Sequence, residues 1–306
     1  MIRKSPVCIA AVLIVSFISL TSAESPLKTN LPEPGQCGNV IKNRIKGDNV
    51  TKLDEYPWMA LIEYAKEDGN STGHRCSGNL INNRYVLTVA HCINGIPKTW
   101  KPYRVRLGEW DTTTDPDCDR DTQNNSEVCA DPHVDVTIEK VTVHEKYNSS
   151  LKSQPNNIAL IRLSRNVDYT DFIRPICLPL KDTLKQSTFD GNKMEVSGWR
   201  QLGRKTSSNI KLKAEVPVVP LSECQSVYSK HNVDLGTSHI CSGNDFCRSE
   251  SGGPLMGLDS LNKDQLYYYI AGLFSIAPSS CELEGWPNVY TKVSDYVDWI
   301  EQNIEA

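Results

Sequence analysis

From Tyr56 onward the chain alternates short strand-like runs with turn residues. The runs cover residues 58–64, 85–90, 104–107, 134–144 and 158–163 in the first half. A second set covers 194–198, 212–219, 266–275 and 288–292. Many short β segments between turns, with no fixed-period repeat, predict an all-β sandwich or barrel. Only the end changes character. Val293, Val297, Ile300 and Ile304 recur at helical spacing, with Ser294 placed to cap the start. That stripe predicts a C-terminal α-helix docked on the β body.

The two ends of the pattern bound the folded part. Arg3 and Lys4, an apolar run over 7–20 and Thr21-Ser22-Ala23 have the layout of a secretory signal peptide, residues 1–23. The alternative, a membrane anchor, needs about 20 apolar residues, more than the run supplies. Residues 24–44 contain Pro, Gly and Asn with little apolar content, and are expected to be loosely structured. The 306-residue chain, less its signal, has room for one large all-β domain or two lobes.

A net charge of −4 without a basic run argues against nucleic acid or an anionic membrane as partner. Of the eleven cysteines, Cys8 leaves with the signal. The even set that remains reads as disulfides formed in an oxidising compartment, and no paired CxxC spacing favours a metal instead. Sequons start at Asn49, Asn70, Asn124 and Asn148, so a secreted glycoprotein is expected. Residues 111–131 form an acidic stretch bracketed by Cys118 and Cys129, expected to be a surface loop stapled by its own disulfide. Glu109 and nearby aspartates offer the hard oxygens that calcium takes; a solvated acidic loop is the other reading.

The candidate chemistry lies in three segments. These are Thr88-Val89-Ala90-His91-Cys92, Asn156-Asn157-Ile158-Ala159-Leu160 and Cys247-Arg248-Ser249-Glu250-Ser251-Gly252-Gly253-Pro254. A serine hydroxyl becomes a nucleophile when a neutral imidazole takes its proton, and a third group must hold that imidazole in the right tautomer. His91 and Ser251 supply the first two parts. With Pro57-Trp58, Arg44-Ile45-Lys46-Gly47-Asp48, Gly198-Trp199 and Val289-Tyr290-Thr291, the chain resembles the chymotrypsin/trypsin family of serine proteases over nearly all of 45–306.

The resemblance implies two six-stranded antiparallel β-barrels with a C-terminal α-helix. It implies disulfides Cys76–Cys92, Cys224–Cys241 and Cys247–Cys281, with Cys37–Cys177 tethering residues 24–44 as an activation peptide and Cys118–Cys129 as the extra loop pair. Leader and loop look most like arthropod clip-domain proteases, although 24–44, with one cysteine, is too short for a clip domain. Cleavage after Arg44 is expected to free the Ile45 amine to pair with Glu250.

Four places depart from the family. Asn157 stands where the family has the orienting aspartate. Ser249 replaces a glycine whose N–H, with that of Ser251, forms the oxyanion hole. Serine either fits that loop or turns one donor away, a loss worth roughly 10²–10³ in rate. Glu250 replaces an aspartate. The specificity pocket keeps Asp245, which suits Arg or Lys, but Phe246, Ala277 and Asn288 narrow it. An amide at 157 that keeps its carbonyl on backbone donors turns its NH₂ toward His91, a change worth about 10⁴ in kcat in a serine protease.

Two functions follow. The first is a non-catalytic regulator or cofactor in an extracellular proteolytic cascade such as arthropod innate immunity, binding proteases, zymogens or protease inhibitors. The other is a weakly active trypsin-like endopeptidase cleaving after Arg or Lys. No cofactor is required by either.

Overall fold

The computed structural model describes residues 30–40, 49–121, 126–199, 208–243, 250–276 and 285–305. In chain order the strands are β1 (Met59–Lys66), β2 (Ser71–Leu80), β3 (Tyr85–Thr88), β4 (Trp100–Leu107), β5 (Cys118–Asp121), β6 (Ser126–Cys129), β7 (Val134–Val143) and β8 (Ala159–Leu163). They continue with β9 (Lys193–Gly198), β10 (Leu212–Val219), β11 (His239–Ser242), β12 (Pro254–Asn262), β13 (Gln265–Ile276) and β14 (Asn288–Lys292). Four short helices join them: α1 (His91–Asn94), α2 (Asp182–Lys185), α3 (Leu221–Tyr228) and α4 (Val297–Asn303).

Two closed antiparallel barrels result, in the orders β1-β2-β3-β8-β7-β4 and β10-β11-β14-β13-β12-β9, with β5-β6 a separate hairpin. Closure leaves neither barrel an unpaired edge, which is how a β-barrel escapes edge-to-edge association. The first barrel is filled by Trp58, Leu61, Ile62, Val86, Leu87, Leu107 and Ile161, all nearly inaccessible. The second encloses Val196, Val216, Leu255, Ala271 and Tyr290.

Burial explains which strands were legible. β1 is buried at every position except Lys66, so it reads as one apolar run. β2, β5, β6, β11 and β12 escaped the pattern. β2 carries Ser, Thr, Gly, His and Arg over its outer half and buries only its second half, which includes Ser77 and Asn79. β11 is just four residues long.

Two expectations need correction. Residues 30–40 are not loose. Leu31 and Cys37 are buried, the Tyr268 N–H donates to the Gly38 carbonyl at 2.7 Å, and Gly38 N–H donates to Pro175 at 2.9 Å. Gly38 lies so close to β13 that a Cβ would fall 2.1 Å from the Tyr268 carbonyl oxygen, so this strap accepts glycine alone at that point. The strap also joins the body through a Cys37–Cys177 disulfide.

Ser294, in turn, caps no helix. It lies inside a 3₁₀ turn, Val293–Tyr296, and α4 begins after it without a side-chain cap. The apolar stripe does dock: Val293, Val297 and Ile300 are buried and Trp299 packs on His144 at 5.1 Å between ring centres. Tertiary packing supplies what the absent cap does not.

Candidate active site

Register brings the first two site residues together. β3 and β8 pair antiparallel with Thr88 opposite Ala159, so the chain leaving β3 and the chain entering β8 run side by side. His91 opens α1 just past β3, and Asn157 sits two residues before β8. Asn156 holds the approach in a left-handed conformation, φ 57°, which asparagine tolerates better than most residues. Its side chain accepts from the Tyr296 hydroxyl at 3.2 Å and donates to the Lys146 carbonyl at 3.2 Å.

Asn157 is fully buried and every polar atom around it has a defined role. Its Oδ1 accepts the backbone N–H of His91 at 2.9 Å. A backbone N–H can only donate, so this bond fixes which end of the amide is oxygen. Nδ2 then faces His91 Nδ1 at 2.8 Å and donates to Ser275 Oγ at 2.7 Å. The Asn157 carbonyl is held by the Thr291 hydroxyl at 2.9 Å.

An amide N–H pointing at Nδ1 requires a lone pair there. The imidazole proton is thereby placed on Nε2, the nitrogen that must be empty to receive a proton from serine. Burial also pushes the His91 imidazole down to about 4, and Asn157 brings no negative charge to hold it up. The arrangement favours a neutral histidine with its proton on Nε2.

Ser251 precedes β12 in a loop clasped by the first barrel. The Ser77 N–H donates to the Ser251 carbonyl at 2.9 Å, and Asn79 Nδ2 donates to the Gly252 carbonyl at 2.9 Å. The Thr88 hydroxyl donates to the Ser77 carbonyl at 2.8 Å, and Gly252 N–H reaches Phe274 at 3.0 Å. Gly252 has φ +84°, and a Cβ there would lie 2.2 Å from the Ser77 carbonyl oxygen. The first glycine of Ser-Gly-Gly is thus demanded by both backbone conformation and space. Glu250 is buried, and Ser77 donates its hydroxyl to it. Sequence inspection gave no sign of Ser77 or Asn79, and Thr88 figured only as the start of the His91 segment; they reach the loop through the β2–β3 pairing.

The remaining predicted residues divide by position. Arg44, Ile45, Asp245, Phe246, Ser249, Ala277, Asn124 and the pair Cys247–Cys281 lie outside the described residues. Asn288 is buried at the start of β14, opposite Ser242. Asn49, Asn70 and Asn148 are exposed. Disulfides join Cys76 to Cys92, Cys118 to Cys129 and Cys224 to Cys241. Strands β5 and β6 pair antiparallel with the two disulfide-bonded cysteines as register partners.

The donor set near Glu109 does not fit calcium as arranged. Glu109 Oε2 is bonded to Arg106 at 3.1 Å and Oε1 to the Trp110 N–H at 3.1 Å. Asp117 spends Oδ2 on the Trp110 and Asp111 amides and Oδ1 on the Thr114 hydroxyl. Calcium takes six to eight oxygens, and these two carboxylates are already turned onto internal donors. Burial and the neighbouring Asp117 push Glu109 up to about 7, and fully buried Lys211 adds a cation whose ammonium donates to the Glu109 carbonyl at 3.4 Å. Among the described residues, the cluster with three potential metal ligands is Cys118, Glu127 and Cys129, and its two thiols are consumed by the disulfide.

Comparison with known proteins matches this geometry. The family model described as Trypsin covers residues 45–300. The chain is 51% identical to Serine protease ea of Drosophila melanogaster over 282 residues, 90% of this chain and 71% of that protein. It is 41% identical to CLIP domain-containing serine protease B4 of Anopheles gambiae, over 99% of this chain and 79% of the relative. Among solved structures it superimposes on the Drosophila Grass clip serine protease of the Toll pathway with a TM-score of 0.74 and 35% identity, covering 87% of this chain and 73% of that one. Paired six-stranded barrels, a Ser-Gly-Gly loop on the second held by Ser77 and Asn79 of the first, and this breadth of match have one explanation: the chain belongs to the trypsin family of serine proteases, among relatives of the arthropod clip-domain type.

Proposed function

We propose that this protein is a secreted, trypsin-fold regulator of an extracellular proteolytic cascade that works by binding rather than by peptide hydrolysis. One observation carries the reading: the His91 N–H fixes the Asn157 carbonyl, so the amide NH₂ meets His91 Nδ1 at 2.8 Å. The same carboxylate-to-amide change lowers kcat by about 10⁴, equivalent to about 5.5 kcal/mol of transition-state stabilisation. An amide is also uncharged, so it leaves the imidazolium formed during attack without a counter-charge.

The cascade comes from the relatives. They include proteins named Melanization protease 1 and Spaetzle-processing enzyme of Drosophila melanogaster and Phenoloxidase-activating factor 3 of Holotrichia diomphalia. For this chain the partners are then a protease, a zymogen or a protease inhibitor of arthropod innate immunity. Export follows from the signal layout and the disulfides, and the exposed Asn49, Asn70 and Asn148 suit glycosylation. The Arg44–Ile45 bond is the switch: cleavage there frees an amine for Glu250 and changes the shape that the partner reads.

The test is direct. The purified protein, cleaved after Arg44, is offered a fluorophosphonate and arginyl peptide substrates beside Ser251→Ala. Labelling and turnover indistinguishable from the Ser251→Ala protein are expected. Turnover in the parent that disappears with Ser251→Ala would overturn the proposal in favour of a trypsin-like endopeptidase cleaving after Arg or Lys.

A further inference from the structure

Tyr64 is fully buried near the end of β1, where the strand slips register on both sides. Against β2 the pairing shifts between Ile62 and Glu63 and again between Glu63 and Ala65; against β4 it shifts between Glu63 and Tyr64. Such irregularities bend a strand and re-aim a side chain. Here the Tyr64 hydroxyl reaches α1 and donates to the Cys92 carbonyl at 2.9 Å. That carbonyl needs an outside donor. α1 is a single turn without a side-chain cap, and the last four carbonyls of any helix have no donor within it. The His91 carbonyl takes the Gly95 N–H at 2.8 Å, whereas Cys92 is fully buried and takes a phenol instead. Burial pushes the Tyr64 phenol well above its ordinary value, so it stays a donor throughout the neutral range.

We infer that Tyr64 is a positioning residue for His91: by holding the Cys92 carbonyl, it sets the rotation of the turn whose first N–H meets Asn157. One turn of helix cannot hold itself, because its hydrogen bonds do not repay the ordering of its backbone. Three outside ties fix this one. The Cys76–Cys92 disulfide anchors the Cys92 side chain, Tyr64 anchors the carbonyl of the same residue, and Asn157 Oδ1 accepts the His91 N–H at 2.9 Å. With the first two ties in place, His91 Nδ1 is kept on the Asn157 NH₂ at 2.8 Å. Without the hydroxyl, the turn swings about the disulfide and that contact is no longer the single arrangement. All these partners belong to the first barrel, so the inference stands apart from the function proposed above.

The imidazole reports this directly. In the full chain carrying nitrogen-15 histidine, the Nδ1 and Nε2 resonances of His91 give its tautomer ratio at neutral pH, where the buried ring is uncharged. The signals are assigned by their loss in His91→Gln. The parent is compared with Tyr64→Phe and Tyr228→Phe. Tyr228 is also a buried tyrosine whose hydroxyl holds a backbone carbonyl, that of Pro287 at 2.8 Å, but in the part of the chain that builds the second barrel. Both variants are expected to lower the unfolding midpoint alike. Only Tyr64→Phe is expected to move His91, lowering the ratio of the Nε2–H to the Nδ1–H form about tenfold, the weight of one lost hydrogen bond. A ratio that Tyr64→Phe leaves unchanged, or that both variants move equally, overturns the role given to Tyr64. So does a Tyr64→Phe chain that no longer melts cooperatively, since the hydroxyl would then support the whole barrel rather than one turn. The parent's own ratio separately tests the orientation of the Asn157 amide, so the two readings can fail independently.

Discussion

The two halves of the site have met sequence change in opposite ways. On the Ser251 side, the longer Glu250 is taken up by a hydroxyl at Ser77, and the loop stays clasped by Asn79 and Thr88. On the His91 side the geometry around Asn157 is equally complete, yet one atom reverses its meaning. His91 N–H, His91 Nδ1 and Ser275 Oγ surround the amide at 2.7–2.9 Å, and a carboxylate would find all three usable as donors. The hydroxyl can turn round and the imidazole can change tautomer; the backbone N–H cannot. A site can therefore keep its shape in both halves while the direction of one hydrogen bond differs, because shape depends on distances while proton transfer depends on which partner donates.

The largest effect should come from giving the His91 side its carboxylate back. Asn157→Asp in the cleaved protein should raise Ser251 labelling by about 10⁴, with His91 Nδ1 and Ser275 Oγ turning to donors beside the His91 N–H, which donates already. A gain far below this would move the fault to the other half, at Ser249 or the specificity pocket. In the same variant His91 should titrate well above the value of about 4 that burial imposes on the parent, visible in the imidazole proton resonances.

The clasp on the other half can be broken sterically. Gly252→Ala puts a Cβ against the Ser77 carbonyl at a φ of +84° and should cost about 3 kcal/mol in denaturant unfolding, combining left-handed strain with overpacking. A loss under 1 kcal/mol would mean that the loop gives way easily.

The Cys76–Cys92 disulfide joins the halves, since Cys76 precedes Ser77 and Cys92 follows His91. Replacing both with alanine opens a loop of sequence separation 16 and should cost about 3 kcal/mol. Ser275→Ala deletes the acceptor of one Asn157 N–H and should cost about 1 kcal/mol in the same measurement.

The last effect is a pH dependence. His91 has its folded pKa depressed from 6.5 to about 4, so between these values the unfolded chain binds more protons than the folded one. Its contribution to stability should be complete above 6.5 and lost as pH falls toward 4. Asn157→Asp should narrow that window, a comparison made by urea titrations at pH 7 and pH 5.

Some of this was open to inspection of the chain alone. The apolar runs showed an all-β body, the motifs around His91 and Ser251 pointed to one family, and Asn157 stood out because its neighbours in sequence are so specific. Burial made those runs continuous, which is why β1 was plain and β2 was not: β2 turns polar residues outward and buries Ser77 and Asn79 beside them. The strap at 30–40 hid for a related reason, since two anchors, Leu31 and Cys37, hold a segment whose composition looks unstructured.

The sequence by itself determined the fold class and the chemical identity of the three site residues, because apolar periodicity and side-chain type are properties of the chain. Tertiary structure alone decided which end of the Asn157 amide faces His91 and that Glu250 rests against Ser77. Both depend on groups distant in sequence, 66 residues apart in one case and 173 in the other, whose hydrogen-bonding direction is set only when strands of the closed barrels pair.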